Sequence, residues 1–327
     1  MSALRVSDLR FRISLFCVAA LSAILFLCAV SARARKLNLP PEATQGLQQM
    51  YAGDPDAAIE SFLKLQQQRP DNPLGYLLEV DARWWKIYCA SCEIKWNLID
   101  VWRRPRAPED AAYFALADKA IALAETRIAQ ADSAEMRLYA GMGYALKARL
   151  LAAREEKRAT ARAGVKAREH FLRAKQLDPE LADAYTGLGL YNYYVDTLSP
   201  IVKLLRFFMG IPGGSRHEGL RHLELAKQKG ELTAVEARFY LAKNLRNYDE
   251  KYERAAELLE PLVKQYPQNP VFQLLLGDMN AKLNRREKAA ASFHAAEKIE
   301  VRDSACRART RQLASAALAA LAAPRND

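Results

Sequence analysis

Small and large apolar residues recur along this chain in one fixed frame. Ala289, Phe293 and Ala296 have the small, large, small spacing of a packed helix face, and moving back 34 positions lands on Ala255, Leu259 and Leu262, closed by Pro267. A further step of 88 reaches Ala167, Phe171, Ala174 and Pro179, and a last step of 109 reaches Ala58, Phe62, Leu65 and Pro70. Because 88 is two periods plus 20 residues, a segment of about that size interrupts the pattern between the second and third of these sets. Ala117, Ile121 and Ala124 repeat the spacing once more. The preceding helices agree, since Tyr185, Leu188 and Gly189 stand where Gln273, Leu276 and Gly277 stand in the last copy. A glycine or alanine lets two helix backbones approach, Phe or Leu one turn later fills the groove, and proline ends the second helix so that the chain can turn back. Gly189, Gly277, Ala289, Phe293 and Ala296 are therefore expected at packed positions. A bulky residue at either glycine should force helices apart, whereas alanine should be mild.

A 34-residue period with these positions resembles the tetratricopeptide repeat (TPR) family. The resemblance implies helical hairpins that bury their faces only against their neighbours and so stack into a superhelix. The expected fold is all-α, a TPR-like superhelix of about six helix-turn-helix units over residues 37–303, with an inserted apolar helix at 196–214 and a capping helix and tail at 304–327. Leu313, Leu318 and Leu321 would seat the cap. Only 14 glycines and 14 prolines, with few β-branched runs, argue against a sheet. From Gly187 to Leu223 the segments GLGLYNYY, LSP, KLL and GLRHLELA also resemble the eukaryotic TPR family linked to the mitochondrial outer membrane and inclusion-body clearance. That second resemblance covers roughly a tenth of the chain, implies no catalytic motif, and transfers no cellular role.

The N-terminus departs from this second family. Three arginines in residues 1–12 precede the uncharged run Ile13 to Val30, the pattern of an export signal or a membrane anchor. Ala32-Arg33-Ala34 offers a cleavage site, and Leu25-Phe26-Leu27 lacks the small residue that lipid attachment at Cys28 would need. Residues 1–36 are thus expected to release the chain into the periplasm or tether it to the outer side of the cytoplasmic membrane. The net charge of +11 does not by itself imply nucleic acid, because the densest basic run, Arg154 to Lys175, also holds Glu155, Glu156 and Glu169 and reads as a solvated helical face.

Candidate chemistry is sparse. An unusually long first helix is expected from Pro73, holding every tryptophan, Trp84, Trp85, Trp96 and Trp102, and Trp85, Cys89, Cys92, Trp96 and Ile99 follow helical steps that place them on one stripe. The stripe reads as core, with a sugar- or lipid-binding groove as the alternative. Cys89-Ala90-Ser91-Cys92 reads as two buried thiols, as a Cys89–Cys92 disulfide, or as a redox or metal pair. His217 and His222 resemble a zinc-protease motif, but five positions rotate the second histidine about 140° around a helix, too far to share a metal. Pro212-Gly213-Gly214-Ser215 reads as a turn with Ser215 as N-cap rather than as an anion nest.

With four histidines and no placed nucleophile, no catalytic set, cofactor or metal is expected. In the insert, Leu204, Leu205, Phe207 and Phe208 would either plug the inner surface of the superhelix or meet a partner or membrane. The leading functional expectation is a non-catalytic exported scaffold that binds a protein or peptide in its concave groove, with Trp84, Trp85 and Trp96 as further contact candidates. The alternatives are a membrane- or lipid-associating module built on the insert and a thiol-active protein built on Cys89 and Cys92.

Overall fold

The computed structural model describes residues 37–95, 99–200, 203, 206 and 210–323. The chain divides into Met1–Lys36, which lies outside the described residues together with its expected export signal, and the unit Leu37–Asp327. In that unit six helical hairpins follow one another. They are α1 (Pro41–Tyr51) with α2 (Pro55–Gln68), α3 (Pro73–Ser91) with α4 (Glu109–Gln130), and α5 (Ala134–Ala153) with α6 (Lys157–Leu177). After them come α7 (Ala184–Thr197) with α8 (Arg216–Lys229), α9 (Ala234–Asn247) with α10 (Tyr252–Gln265), and α11 (Pro270–Lys282) with α12 (Arg286–Lys298). A last helix, α13 (Ser304–Ala322), follows α12. Each helix packs on its hairpin partner and on the next hairpin, the architecture of a TPR superhelix.

Local chemistry sets the helix starts. Pro41, Pro55, Pro73 and Pro270 open their helices, where the missing N–H costs nothing. Asp54, Asn72, Ser133, Ser215, Asn269 and Asp303 cap theirs through side-chain oxygens that accept backbone N–H groups. The buried carboxylate of Asp183 caps across hairpins: it accepts from the backbone of Leu232 at 2.9 Å and Thr233 at 2.7 Å and from the Thr233 hydroxyl at 2.9 Å. One hairpin thereby positions the start of the next.

The recurring frame is the buried seam of the hairpins. Ala58, Phe62 and Leu65 in α2, Ala117, Ile121 and Ala124 in α4, and Ala167, Phe171 and Ala174 in α6 are all buried. The same holds for Ala255, Leu259 and Leu262 in α10 and for Ala289, Phe293 and Ala296 in α12. Gly219, Leu223 and Ala226 of α8 form a further set, so the interruption lies between the two helices of the fourth hairpin. Gly277 faces the Phe293 ring so closely that an added Cβ would lie 2.6 Å from it, and at Gly189 an added Cβ would lie 2.8 Å from Leu223 and 3.0 Å from the Gly219 carbonyl. A methyl group at these sites requires the Phe293 ring or the Leu223 side chain to shift, a closer approach than the spacing alone conveys.

Two expectations fail after Ser91. The helix stops there, because Cys92 turns to an extended conformation (φ −64°, ψ 147°), and the stripe continuing to Ile99 does not exist. Instead β1 (Cys92–Ile94) pairs antiparallel with β2 (Ile99–Val101), setting Cys92 opposite Val101 and Ile94 opposite Ile99. The side chain of Asn247 holds β2 as a neighbouring strand would, accepting from the Ile99 N–H at 3.0 Å and donating to its carbonyl at 3.1 Å. Trp96 lies outside the described residues, as do Leu204, Leu205, Phe207 and Phe208 of the insert. Among the described residues no helix is long and apolar enough to cross a membrane.

Candidate functional site

The first helices of the hairpins converge, and their inner faces bury one another. Trp85 of α3 packs edge-on against Phe239 of α9 at 4.9 Å and Phe272 of α11 at 6.0 Å between ring centroids. Trp84 donates its indole N–H to the Tyr240 hydroxyl at 3.3 Å, and Asn269 donates to the Tyr51 carbonyl at 3.0 Å. Trp84 and Trp85 are only 4% and 5% exposed, so they are the core residues of the first reading and not the contact candidates of its alternative. An aromatic side chain contributes roughly 1.5–3 kcal/mol when fully buried, and here several are shared between early and late repeats. The open concave groove expected of a free superhelix is thus filled by the chain's own side chains.

Charges in this interior are matched. Arg149 of α5 pairs with Glu236 of α9 and lies 3.5 Å from Asp81 of α3, and its guanidinium stacks over the Tyr240 ring at 5.0 Å. Burial, reinforced by the Glu236 charge and opposed by Arg149, pushes Asp81 up to about 8. Lys243 meets Asp100 at 2.6 Å, and Arg246 meets Asp278 at 2.9 Å and the Lys95 carbonyl at 2.6 Å. These pairs tie the β1–β2 hairpin and hairpins two, three, five and six together.

A disulfide completes the closure and corrects the cysteine reading. Cys89 at the end of α3 bonds Cys306 in α13, across 217 residues of sequence, and not Cys92. The physical reason is the helix end: Cys89 still points from α3 toward the cap, while Cys92 has left the helix to begin β1. Cys92 is a buried free thiol whose pKa burial pushes up to about 12, so Cys89 and Cys92 do not act as a pair as the CxxC reading required. Lys86 reaches Asp303 at 3.3 Å and Arg309 donates to the Cys92 carbonyl at 2.8 Å, which hold α13 beside the staple.

The family profile of "Regulator of microtubule dynamics protein 1-3" matches residues 84–270, more than half of the chain, from Trp84 to the start of α11. The chain belongs to that family. The match spans the Gly187 to Leu223 stretch, so the family assignment there is to the microtubule-dynamics regulators. No curated protein matches. Among solved structures the chain is similar to the Cut9–Hcn1 hetero-tetramer of APC/C, at 12% identity and a TM-score of 0.44 over 86% of this chain and 42% of that one. It is also similar to yeast Tom70, at 18% identity and a TM-score of 0.40 over 85% and 53% of the two chains. A third is YrrB, described as a TPR protein with an unusual peptide-binding site, at 19% identity and a TM-score of 0.35 over 78% and 99%. The chain thus spans about half or less of two of these three.

Within this member of the family two of the histidines, His170 and His222, serve packing. His222 is buried with its ring 5.1 Å from that of Tyr185, and burial lowers its pKa to about 4, while His217 is exposed. His170 stacks on Tyr144 at 5.6 Å and is likewise lowered by burial. Ser215 accepts from the Glu218 N–H at 3.4 Å, the N-cap role read from its turn. Sequence reasoning missed Cys306 and the trio Asp81, Arg149 and Glu236. Parity held a signal for the first, since Cys89, Cys92 and Cys306 are three cysteines beyond residue 36 and at most two can pair. For the trio the signal was three charged residues set among apolar positions of first helices.

Large apolar side chains reach solvent at a few places outside the stack: Leu63, Trp102, Leu177, Leu198 and Tyr248. Trp102 opens the loop Trp102 to Pro108, which is fastened to the turn between α5 and α6. There Arg104 donates its backbone N–H to the Ala153 carbonyl at 2.9 Å, Arg103 pairs with Glu155 at 3.4 Å and Arg106 with Glu156 at 3.1 Å.

Proposed function

We propose that this protein is a non-catalytic, exported helical-repeat scaffold that docks a protein or peptide partner on the outside of its repeat stack. The observation that carries the reading is the filled interior: a TPR superhelix whose inner faces are buried against each other by Trp85, Phe239 and Phe272 offers a partner its outer surface instead. The Cys89–Cys306 disulfide supports export, because such bonds persist in oxidising compartments. The basic, then apolar, pattern of residues 1–36 supports tethering to, or passage across, the cytoplasmic membrane. From the family only the repeat architecture is carried over; the microtubule role in its description is not.

The test is photo-cross-linking in intact envelopes from probes at the exposed positions Leu63, Trp102, Leu177 and Tyr248, with adducts identified by mass spectrometry. A discrete protein adduct from at least one position is expected. Adducts from none of them, in cells making the protein at its natural level, would contradict the scaffold reading. Added protease reaching the protein in spheroplasts checks the export half.

A further inference from the structure

The fastening of the Trp102 loop leaves an electrostatic imbalance beside it. Glu155 and Glu156 are engaged by Arg103, Arg106 and Arg154. The next cations along α6, Lys157, Arg158 and Arg162, are exposed, and their side chains have no ion pair or hydrogen bond among the described residues. Two of them stand in the first turn of α6, which carries no acidic residue, so they oppose the positive end of the helix dipole. Arg158 and Arg162 are also four apart, a like-charge spacing that destabilises a helix by a few tenths of a kcal/mol. Folding gains nothing from this arrangement. A ligand of opposite charge would.

The surroundings say what kind of ligand. Glu155 to Ala159 and Arg162 line a shallow depression of about 550 Å³, and the loop with Trp102 and Arg106 is anchored along the same turn. Trp102 is 44% exposed, while the other described tryptophans are buried. Tryptophan and arginine are the residues that most often carry binding energy at protein interfaces. The depression is shallow and open, and the loop that carries Trp102 is anchored at the same turn, so an acidic polypeptide segment can offer carboxylates to the cations and apolar atoms to the indole together.

We infer that Trp102, Lys157, Arg158 and Arg162 form a docking surface for an acidic polypeptide segment, the partner's carboxylates meeting the unpaired cations and its apolar atoms covering the indole. The inference rests on the scaffold reading and adds the partner's chemistry to it. It is tested with the full chain and a fluorescent oligo-glutamate peptide, followed by anisotropy at low salt, with oligo-lysine as control and vesicles of anionic phospholipid as a separate arm. The unsubstituted protein should bind the acidic peptide and not the basic one. The variant Lys157→Glu, Arg158→Glu, Arg162→Glu should weaken binding by about tenfold or more, and Trp102→Ala should weaken it without changing its salt dependence. Because the three cations make no ion pair or hydrogen bond among the described residues, the triple variant should keep its melting temperature. No binding of the peptide, equal binding by the triple variant, or binding to vesicles alone would overturn the inference. A cross-linked partner retained undiminished by the triple variant would overturn this surface and leave the scaffold standing.

Discussion

The interior of the repeat stack and the rim at the α5–α6 turn treat basic residues in opposite ways. Inside, Arg149, Lys243 and Arg246 each meet a carboxylate contributed by another part of the chain. At the rim, Lys157, Arg158 and Arg162 meet none among the described residues. The difference follows from solvation. A buried charge without a partner is intolerable, so these interior cations are built into the closure of the stack. An exposed one costs a few tenths of a kcal/mol and stays available to something outside the chain.

Breaking the interior side should have the largest effect. Arg149→Met leaves Asp81 and Glu236 as two buried carboxylates without their cation, and an unfolding cost of about 3–5 kcal/mol is expected in denaturant titrations. A change below about 1 kcal/mol would mean that water reaches the trio. Next comes the backbone approach at Gly277. With an added Cβ only 2.6 Å from the Phe293 ring, Gly277→Ala should cost about 1–3 kcal/mol, and Phe293→Leu in the same chain should recover part of it. Additive losses in the double variant would show that the ring is not the obstacle.

A smaller effect depends on pH. Burial holds Asp81 up at about 8, above its value in the unfolded chain, so the folded state binds a proton that the unfolded state has already lost. The stability associated with this proton is complete below the unfolded carboxyl range and is lost as pH rises through it toward 8, by at most about 1.4 kcal/mol per pH unit. Asp81→Asn should therefore raise the melting temperature at pH 7 and lose that advantage near pH 4. His222 contributes the opposite slope: held neutral with a pKa of about 4, it withdraws stability as pH falls from the ordinary histidine range toward that value. An Asp81→Asn gain that grew toward low pH would contradict the assignment. The smallest effect belongs to the rim. Arg158→Glu should leave the fold unchanged or stabilise it by a few tenths of a kcal/mol, because it improves the charge at the start of α6; a loss above about 1 kcal/mol would reveal a partner for Arg158 within the fold.

What could be read from the sequence was what each hairpin does alone. The small, large, small triplets, the closing prolines Pro70, Pro179 and Pro267, Ser215 as a cap and a last helix from Ser304 depend on local spacing, and all are found. What could not be read depends on how the hairpins curve. Per-repeat rotations add along the stack, and whether α3 returns to meet α9, α11 and α13 is decided by their sum, which no single triplet encodes. Trp84 and Trp85 could therefore be called core or groove, and Cys89 had no visible reason to prefer a partner 217 residues away. The hairpin at Cys92 to Val101 was hidden for another reason: its side chains happen to continue the helical spacing of α3, so periodicity reads on where the backbone has turned. The closeness of the approach at Gly277 was not legible, because spacing reports which residues face each other and not how closely.

The central claim is that the stack is closed, with its second hairpin joined to its cap. Mapping the disulfide tests it most directly: the protein is unfolded under non-reducing conditions with free thiols blocked, digested, and its cysteine peptides identified by mass spectrometry. A closed stack predicts one linked pair of peptides containing Cys89 and Cys306, with Cys92 blocked only after unfolding. A Cys89–Cys92 linkage, or rapid labelling of Cys92 in the folded protein, would contradict closure and reopen the inner groove to a partner.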